Sequence, residues 1–332
     1  MKIYYEDSMP YAAEFFADLG ECYKFSHKTV NADLVADADV LLVRSTTKVN
    51  AQLLAKNNQV RFVATATAGT DHIDQAYLAS QNIPFVSAGG CNAVAVAEYV
   101  LSAMIVMANK LNWQLANKTV GIVGAGHVGS ALSRILSVLG IDYKLCDPPL
   151  AASGDKRSFV DLEQIMACDV ISLHVPWIKD GPYCTQGMFD KTRLSALNEQ
   201  QVLINACRGE VVDEAALIAR LSQENPPIVA LDVFANEPNI NRGLLALCWQ
   251  VTPHIAGHSV EGKVRGTQII YEQICAIAGK PVQKKLNDVL EVLAPTRVAL
   301  TNKDADSLTT EDLTALFLSV YDVKIDDATM RD

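Results

Sequence analysis

The stretch TVGIVGAGHVGSALSRILSVLG, residues 119–140, decides the fold. An apolar, β-branched run leads into Gly124, Gly126 and Gly129, which have the spacing G-x-G-x-x-G, and a helical pattern follows. Between a strand and a helix, the first glycine permits a tight turn, the second lets the backbone approach a pyrophosphate, and the third lets helix and strand pack closely. In this context the stretch predicts a dinucleotide-binding unit rather than a simple glycine turn.

The start of that helix and the end of the next strand complete the predicted nucleotide site. His127 and Val128 open the helix, whose unpaired N–H groups and partial positive charge favour a phosphate. Asp147 ends the strand YKLCD, where a carboxylate can accept hydrogen bonds from the adenosine ribose and repel a 2′-phosphate. We therefore expect NAD rather than NADP, with Lys156 and Arg157 downstream as the cations that would weaken this preference.

Strand-like runs and helical patterns alternate on both sides of this unit. The runs are MKIYY, ADVLLV, RFVATA and IPFVS before it, and IDYKLCD, CDVISLHVP, QVLINACRG, PIVALDVF and QVTPHIAG within and after it. Amphipathic stretches at Tyr11–Leu19 and Asn50–Lys56 and a long apolar pattern at Ala93–Lys110 lie between them. Such alternation predicts an α/β protein with two Rossmann-like, doubly wound parallel-sheet domains.

The domain boundaries follow from where the alternation stops and restarts. The second series is the better formed and predicts a nucleotide-binding domain at 93–256. The first series lacks an end, so the helix expected at Val260–Ala278 is assigned back to it, which gives a discontinuous domain of 1–92 and 257–285. The remaining 286–332 is less apolar and is expected to form a small α+β segment.

Composition and charge exclude several classes of protein. The 332 residues suggest about two domains, and the net charge of −10, from 38 acidic and 28 basic residues, argues against a nucleic-acid partner. The N-terminus has no signal-peptide pattern, and the most apolar run, residues 93–108, is too short to span a bilayer. The eight cysteines are scattered without a C-x-x-C pair. These features predict a cytoplasmic protein with reduced thiols and no membrane partner.

Three charged residues follow three successive predicted strands. They are Arg208 in INACRGEVVD, Glu237 in LDVFANEP and His254 in VTPHIAG. In a parallel sheet, residues just past the strand ends gather at the ligand crevice. A histidine can take a hydroxyl proton near neutral pH, a carboxylate beside it fixes its tautomer, and an arginine can clamp a substrate carboxylate. Singly, each residue is more typical of a solvated turn or loop; together they predict hydride transfer from a hydroxy acid.

The same residues resemble a known family. The order N-x-x-R-G, D-x-x-x-x-E-P and P-H-I-A, with ATAGTDHID at 66–74, resembles the D-isomer-specific 2-hydroxyacid dehydrogenases over about Asp39 to Lys280. The resemblance implies that Arg208 binds the substrate carboxylate and that Glu237 is the partner of His254, the general acid and base. It also implies a nicotinamide site lined by Val175, Asp232 and Gly257.

Finer features resemble one branch of this family. They are YYEDSMPYA, LLVRSTTKVN, HIAGHSVEGKVRGT and VYDVKIDDATMRD. The branch oxidises 4-phospho-D-erythronate to 3-hydroxy-2-oxo-4-phosphobutanoate during pyridoxal 5′-phosphate synthesis. The resemblance implies substrate contacts at Ser45, Thr67 and position 258, where His258 stands in place of the expected tyrosine. It also implies a homodimer formed through 286–332, a segment that we expect to be incomplete.

The substrate phosphate has a candidate site in the first series. Arg44, Lys48 and three hydroxyl groups in RSTTK stand at the start of a helical pattern and predict a phosphate cradle. The alternative is an ordinary polar loop with a helix cap.

Two other readings of function remain open. One is a different family member, such as a 3-phosphoglycerate or glycerate dehydrogenase, and the other is an NAD(H)-sensing interaction protein on the same fold. No metal is expected, because His254 and His258 lack a third ligand in a recognisable spacing.

Overall fold

The computed structural model describes residues 1–290 and 309–332, which divide into two compact units. The described part of the first unit is residues 1–92 and 258–290, and that of the second is residues 93–257 and 309–332. The first unit is thus discontinuous. The sequence predicts that its second part begins at Gly257, but in the structure Gly257 belongs to the second unit. Residues 291–308 of the expected C-terminal segment lie outside the described residues.

The first unit contains a five-stranded parallel sheet in the order β2-β1-β3-β4-β5. Its strands are β1 (Lys2–Glu6), β2 (Glu21–Phe25), β3 (Val40–Val43), β4 (Phe62–Thr65) and β5 (Phe85–Ser87). The central strands β3 and β4 are buried along their whole length, as expected for a sheet covered on both faces.

The second unit contains a six-stranded parallel sheet in the order β11-β10-β9-β8-β6-β7. Its strands are β6 (Thr119–Val123), β7 (Asp142–Cys146), β8 (Val170–Leu173), β9 (Val202–Asn205), β10 (Ile228–Leu231) and β11 (Gln250–Val251). The chain runs from β6 to β7 on one side and then continues with β8 on the other. The strand order therefore reverses between β6 and β8, which is where α/β sheets bind ligands.

The helices in the described residues are α1 (Ala12–Phe16), α2 (Gln75–Ser80), α3 (Ala93–Leu111), α4 (His127–Val138), α5 (Pro148–Ala152), α6 (Leu162–Met166), α7 (Lys191–Ala196), α8 (Glu214–Leu221), α9 (Arg242–Leu247), α10 (Val260–Ile277), α11 (Leu286–Val289), α12 (Thr310–Leu318) and α13 (Val323–Arg331). The predictions of α3 and α10 are confirmed to within one residue at each end. The prediction of a helix at Asn50–Lys56 is wrong, because that stretch forms a run of turns.

Helix α3 is the central helix of the second unit. It is long and apolar enough to cross a membrane, but 67% of its most apolar window is buried inside the protein, where it packs against α4 and α12. Leu313 of α12 and Val323 of α13 join the same core. The described part of the expected α+β segment is helical, with α12 and α13 packed on the second unit. The α+β expectation for 286–332 as a whole stays a prediction, because residues 291–308 lie outside the described residues.

Candidate active site

The glycine-rich turn follows β6 and leads directly into α4. Gly124 has φ of 91°, and a Cβ there would lie 2.5 Å from the carbonyl oxygen of His174. A Cβ at Gly129 would lie 2.1 Å from the carbonyl oxygen of Gly124, so both positions require glycine for packing. A Cβ at Gly126 would meet no atom of the described residues within 4 Å. The second glycine thus faces open space, as expected where a ligand approaches the backbone.

The start of α4 lies beside that open space. His127 and Val128 are its first two residues, and no side chain caps its N-terminus within the described part of the chain. Val175 follows β8 across the switch point, and its Cγ1 would lie 3.0 Å from a Cβ at Gly124. The residues predicted for the dinucleotide from both strands are therefore close together.

Asp147 follows β7, and its carboxylate binds two backbone groups. One oxygen accepts from the N–H of Ala125 at 2.8 Å, and the other accepts from the N–H of Leu150 at 3.0 Å, which caps α5. The acid therefore holds the glycine-rich turn, a role that the sequence did not indicate. Each carboxylate oxygen keeps a second lone pair for a ribose hydroxyl.

Arg157 is bound to the same turn and is neutralised by a neighbour. Its Nη1 donates to the carbonyl oxygen of Ala125 at 2.9 Å and to the hydroxyl of Ser130 at 2.8 Å. Its Nε and Nη2 donate to Asp155 at 3.0 and 2.7 Å. The hydrogen bonds from Arg157 lower the pKa of Asp155 to about 2. Arg157 is thus engaged with protein groups and is not a free cation for a 2′-phosphate.

Glu237 and His254, which follow β10 and β11, form a direct pair. Nδ1 of His254 lies 2.6 Å from Oε2 of Glu237, and Oε1 of Glu237 accepts from the N–H of Phe234 at 2.8 Å. Burial raises the pKa of Glu237, but the hydrogen bonds from His254 and Phe234 outweigh burial, so that the net pKa is lowered. The carboxylate is therefore ionised at neutral pH and can only accept, which makes Nδ1 the donor and leaves Nε2 as the second nitrogen.

The pair changes the acidity of the imidazole. The hydrogen bond to Glu237 raises the pKa of His254, against the opposing effect of burial. Arg208, which follows β9, lies close enough to lower the pKa of both His254 and Glu237 electrostatically. The side chain of His254 remains 48% exposed. A half-exposed imidazole, an ionised partner and a nearby guanidinium are the groups needed to move a proton next to a bound carboxylate.

The loop that carries His254 is held in an unusual backbone conformation. His254 has φ of 56°, a region that non-glycine residues rarely adopt, and its N–H donates to the carbonyl oxygen of Asp232 at 2.7 Å. The carboxylate of Asp232 accepts from the N–H groups of Ile255 at 2.8 Å and Ala256 at 2.9 Å. Asp232 is only 1% exposed, and burial raises its pKa to about 6. Its predicted place beside the nicotinamide, like that of half-buried Gly257, stays a prediction.

The first unit carries the residues predicted for the substrate phosphate, and the structure corrects part of that prediction. Glu6 is fully buried, and its carboxylate accepts from the N–H of Arg44 at 2.9 Å and from the hydroxyls of Thr46 at 2.7 Å and Thr47 at 2.6 Å. Two of the three hydroxyls of RSTTK thus donate to the Glu6 carboxylate rather than to a ligand. No helix follows this loop, so the helix-dipole argument for the cradle is wrong.

Four further polar side chains of the first unit belong to this candidate phosphate site: Arg44, Ser45, His258 and Lys263. Ser45 is exposed, and the guanidinium of Arg44 donates to the carbonyl oxygen of Ser8 at 3.1 Å. Burial lowers the pKa of His258, and the positive charges of Lys263 and Arg44 lower it further. The three side chains are thus within electrostatic reach of one another, and the repulsion between the charges of Arg44 and Lys263 favours a bound anion.

Thr67 follows β4 in the same unit. Its hydroxyl donates to the carbonyl oxygen of Gly69 at 3.0 Å and lies 2.8 Å from the hydroxyl of Thr65.

Sequence reasoning missed Glu6 and Lys263. A charged residue at the end of the buried run KIYYE was a signal for Glu6, whereas nothing in the sequence set Lys263 apart from other helix lysines. Among the described residues, no group of three potential ligands could hold a metal.

The class of protein follows from these features together with two comparisons. Residues 97–256 match the family model for the D-isomer specific 2-hydroxyacid dehydrogenase, NAD binding domain. The NAD+-bound crystal structure of 3-phosphoglycerate dehydrogenase from Entamoeba histolytica superposes with a TM-score of 0.71 at 25% identity, over 84% of this chain and 95% of that one. The chain therefore has the fold of an NAD-dependent oxidoreductase, which confirms the expected cofactor.

Curated relatives extend the match to almost the whole chain. An erythronate-4-phosphate dehydrogenase of Pseudoalteromonas atlantica is 57% identical over 326 residues, which cover 98% of this chain and 86% of the relative. A protein of the same name from Tolumonas auensis is 45% identical over 331 residues, which cover 100% of this chain and 88% of the relative. The chain belongs to the D-isomer specific 2-hydroxyacid dehydrogenase family, in the branch of the erythronate-4-phosphate dehydrogenases.

Proposed function

We propose that this protein oxidises 4-phospho-D-erythronate to 3-hydroxy-2-oxo-4-phosphobutanoate, with NAD as the hydride acceptor, as the resemblance to its branch implies. The observation that carries the chemistry is the 2.6 Å contact between Nδ1 of His254 and Oε2 of Glu237, with Arg208 beside the pair. The observation that carries the substrate is the similarity to relatives of that name over nearly the full chain.

His254 is the proposed acid and base. Because Nδ1 donates to Glu237, Nε2 is the nitrogen that takes the proton of the substrate's C2 hydroxyl. The ionised carboxylate of Glu237 stabilises the imidazolium that results. When bound, NAD supplies the acceptor for the hydride that leaves C2. In the reverse direction, His254 returns its proton to the carbonyl oxygen as the hydride arrives.

Arg208 is the proposed carboxylate binder. A guanidinium can hold the C1 carboxylate through two parallel hydrogen bonds, which fixes the orientation of the neighbouring C2. Its position after β9 puts its positive charge within electrostatic reach of both members of the pair. A ligand carboxylate would partly neutralise that charge, and this favours the protonated form of His254 that reduction requires.

The phosphate is assigned to the first unit. Arg44, Lys263 and His258 supply neighbouring cationic or donor groups, and exposed Ser45 and half-buried Thr67 supply hydroxyls. A dianionic phosphate would relieve the mutual repulsion of these side chains, and binding energy from this remote group can be used to align C2. The cofactor is assigned to Gly124, Gly126, Gly129 and the start of α4, with Asp147 on the ribose.

The test is a substrate panel followed through NADH absorbance. It contains 4-phospho-D-erythronate, D-erythronate, 3-phospho-D-glycerate and D-glycerate. We expect the phosphorylated four-carbon acid to have the highest kcat/KM. In the double variant Arg44→Gln/Ser45→Ala, and separately in Lys263→Gln, we expect this value to fall by at least about 10²-fold, with little change for D-erythronate.

Arg61→Gln is the matched control, since this cation of the same unit is 82% exposed and its loss should change neither substrate. Equal losses on D-erythronate and its phosphate would show that the loop serves folding. No preference for phosphorylated acids in the unmodified protein would leave only the broader dehydrogenase activity.

We also propose a cytoplasmic homodimer. All eight cysteines are free, which agrees with a reducing compartment. Val320, in the turn between α12 and α13, and Ile325, in α13, are 82% and 67% exposed and would be covered in a dimer. Light scattering at micromolar concentration should give twice the mass of the chain, and a monomer would contradict this proposal.

A further inference from the structure

A chain of buried hydrogen bonds runs from helix α3 to the loop that carries His254. Nε2 of Gln250 lies 3.3 Å from the hydroxyl of Tyr99, which lies 2.6 Å from the hydroxyl of Thr252. The Thr252 hydroxyl in turn lies 2.6 Å from Oδ1 of Asp232. All four residues are at most 3% exposed, so water does not compete for these bonds.

The direction of donation along this chain follows from the chemistry of its ends. The amide nitrogen of Gln250 can only donate, so the oxygen of Tyr99 accepts. At the other end, the carboxylate of Asp232 accepts from two backbone N–H groups and, when ionised, can only accept from Thr252 as well. Thr252 has one hydroxyl proton and gives it to Asp232, so the proton on Tyr99 points to Thr252. Every donor therefore points toward the carboxylate.

We propose that Tyr99 and Thr252 are positioning residues for catalysis, which keep Asp232 ionised and thereby hold the loop that presents His254. The proposal rests on the proposed role of His254. Its structural basis is that Asp232 binds the loop through three hydrogen bonds. The carbonyl oxygen of Asp232 accepts from the N–H of His254, and its carboxylate accepts from the N–H groups of Ile255 and Ala256. These bonds fix the left-handed backbone of His254, which costs free energy without such support.

The ionised state of Asp232 needs this support because of its burial. Burial raises its pKa to about 6, and the hydrogen bonds from Thr252, Ala256 and Ile255 oppose the rise. The titratable groups that face it are His254 in the loop, Tyr99 on α3 and Tyr321 after α12, while Asp327 of α13 faces Tyr99. Removal of a donor hydroxyl should therefore raise the pKa of Asp232 and bring its protonation into the working pH range.

The test is the pH profile of the reduction of the 2-oxo acid by NADH. This direction requires ionised Asp232, which sets the acidic limb, and protonated His254, which sets the basic limb. In Thr252→Val we expect the acidic limb of kcat to move up by about one pH unit, because a hydrogen bond to a charged group is worth roughly that shift. Tyr99→Phe should move it in the same direction by less. The basic limb should stay in place, and Thr252→Ser should restore the original profile.

A second readout needs no cofactor or substrate. Hydrogen exchange of the Ile255 and Ala256 amides should be faster at pH 6 in Thr252→Val and Tyr99→Phe than in the unmodified protein. Ser102→Ala is the matched control, because Ser102 lies on the same helix, is 1% exposed, and has a hydroxyl without a hydrogen-bond partner among the described residues. It should change neither the profile nor the exchange.

Two results would overturn the proposal. One is an unchanged acidic limb with unchanged exchange in Thr252→Val, and the other is an equal shift in Ser102→Ala. Both are distinguishable from a failure of the proposed role of His254, which would appear as normal turnover after His254→Asn, and from a failure of the proposed substrate, which would appear in the substrate panel.

Discussion

Nδ1 of His254 and Oε2 of Glu237 lie 2.6 Å apart, although the two residues are 17 positions apart and follow different strands. Neighbouring parallel strands β10 and β11 bring them together at one edge of the sheet. The contact fixes which imidazole nitrogen is left for the substrate. It therefore supports separate predictions for each member of the pair.

Replacement of His254 by asparagine should abolish turnover and leave NADH binding nearly unchanged. The imidazole moves the proton but does not hold the dinucleotide, so the loss should appear in kcat, by roughly 10²- to 10⁴-fold. Stopped-flow fluorescence gives the NADH affinity and absorbance gives kcat. Normal turnover in this variant would remove His254 from the mechanism.

Glu237→Gln should lower kcat and move one limb of the pH profile. Because the carboxylate raises the pKa of His254, its loss lowers that pKa, and protonated imidazole then disappears at lower pH. The basic limb of the reduction should therefore move down, while the acidic limb stays. A neutral amide also permits the wrong tautomer, which in another histidine–carboxylate pair costs about 10⁴-fold in kcat. An unmoved basic limb would contradict the pairing.

Arg208→Lys should behave as a severe substitution. Lysine keeps the charge but loses the planar fork that binds a carboxylate at two points. We expect kcat/KM to fall by about 10²-fold, since a misplaced substrate reacts slowly. The same variant should bind NADH normally in a fluorescence titration. A change of less than about threefold would mean that Arg208 supports the loop alone.

Asp147→Ser should raise the use of NADP relative to NAD. The substitution removes the negative charge that repels a 2′-phosphate, and serine can still cap α5 through Leu150. Adding Asp155→Asn should raise the ratio further, because it frees Arg157 from its ion pair. The measurement is kcat/KM for both cofactors. An unchanged ratio in the double variant would show that these acids do not set the preference.

Glu6→Gln should destabilise the first unit at neutral pH. Hydrogen bonds outweigh burial and lower the pKa of Glu6 in the folded protein. Its stabilising effect is therefore fully present above the unfolded value near 4.5 and is lost as the pH falls through the lower pKa of the folded protein. The amide would place a donor against other donors, at a cost of about 2 kcal/mol. Urea midpoints should differ clearly at pH 7, and the difference should shrink as the pH falls from 4.5 through the lowered pKa of folded Glu6. A constant difference would contradict an ionised Glu6.

The nucleotide unit was predictable from the sequence because its signals are local. The three glycines lie within six residues, and the positions of Arg208, Glu237 and His254 after apolar runs are enough to place them at one sheet edge. The contacts of Glu6 were not predictable, since its partners Arg44 and Thr47 lie 38 and 41 residues away. The amino-acid pattern of a polar loop after a strand is the same whether its hydroxyls bind a ligand or a buried carboxylate.

The helix boundaries show the same limit. Ala93–Leu111 has many apolar residues over five turns and was recognisable, whereas Asn50–Lys56 has a helical pattern over too short a length. In the structure Asn50 accepts from the N–H of Leu53, and the stretch stays a series of turns. Short patterns of this kind depend on tertiary packing, because the first helical turn is costly to form.

The open space at Gly126 has a consequence for experiments in living cells. An alanine there should fold normally, since its methyl group meets no described atom, yet that methyl group would stand where a pyrophosphate has to lie. Two variants therefore separate cofactor binding from catalysis. We expect Gly126→Ala to fold without binding NAD, and His254→Asn to bind NAD without turning over the substrate. A strain that grows with His254→Asn but not with Gly126→Ala needs only the NAD-bound protein, as expected for an NAD(H) sensor. A strain that fails with both needs the reaction.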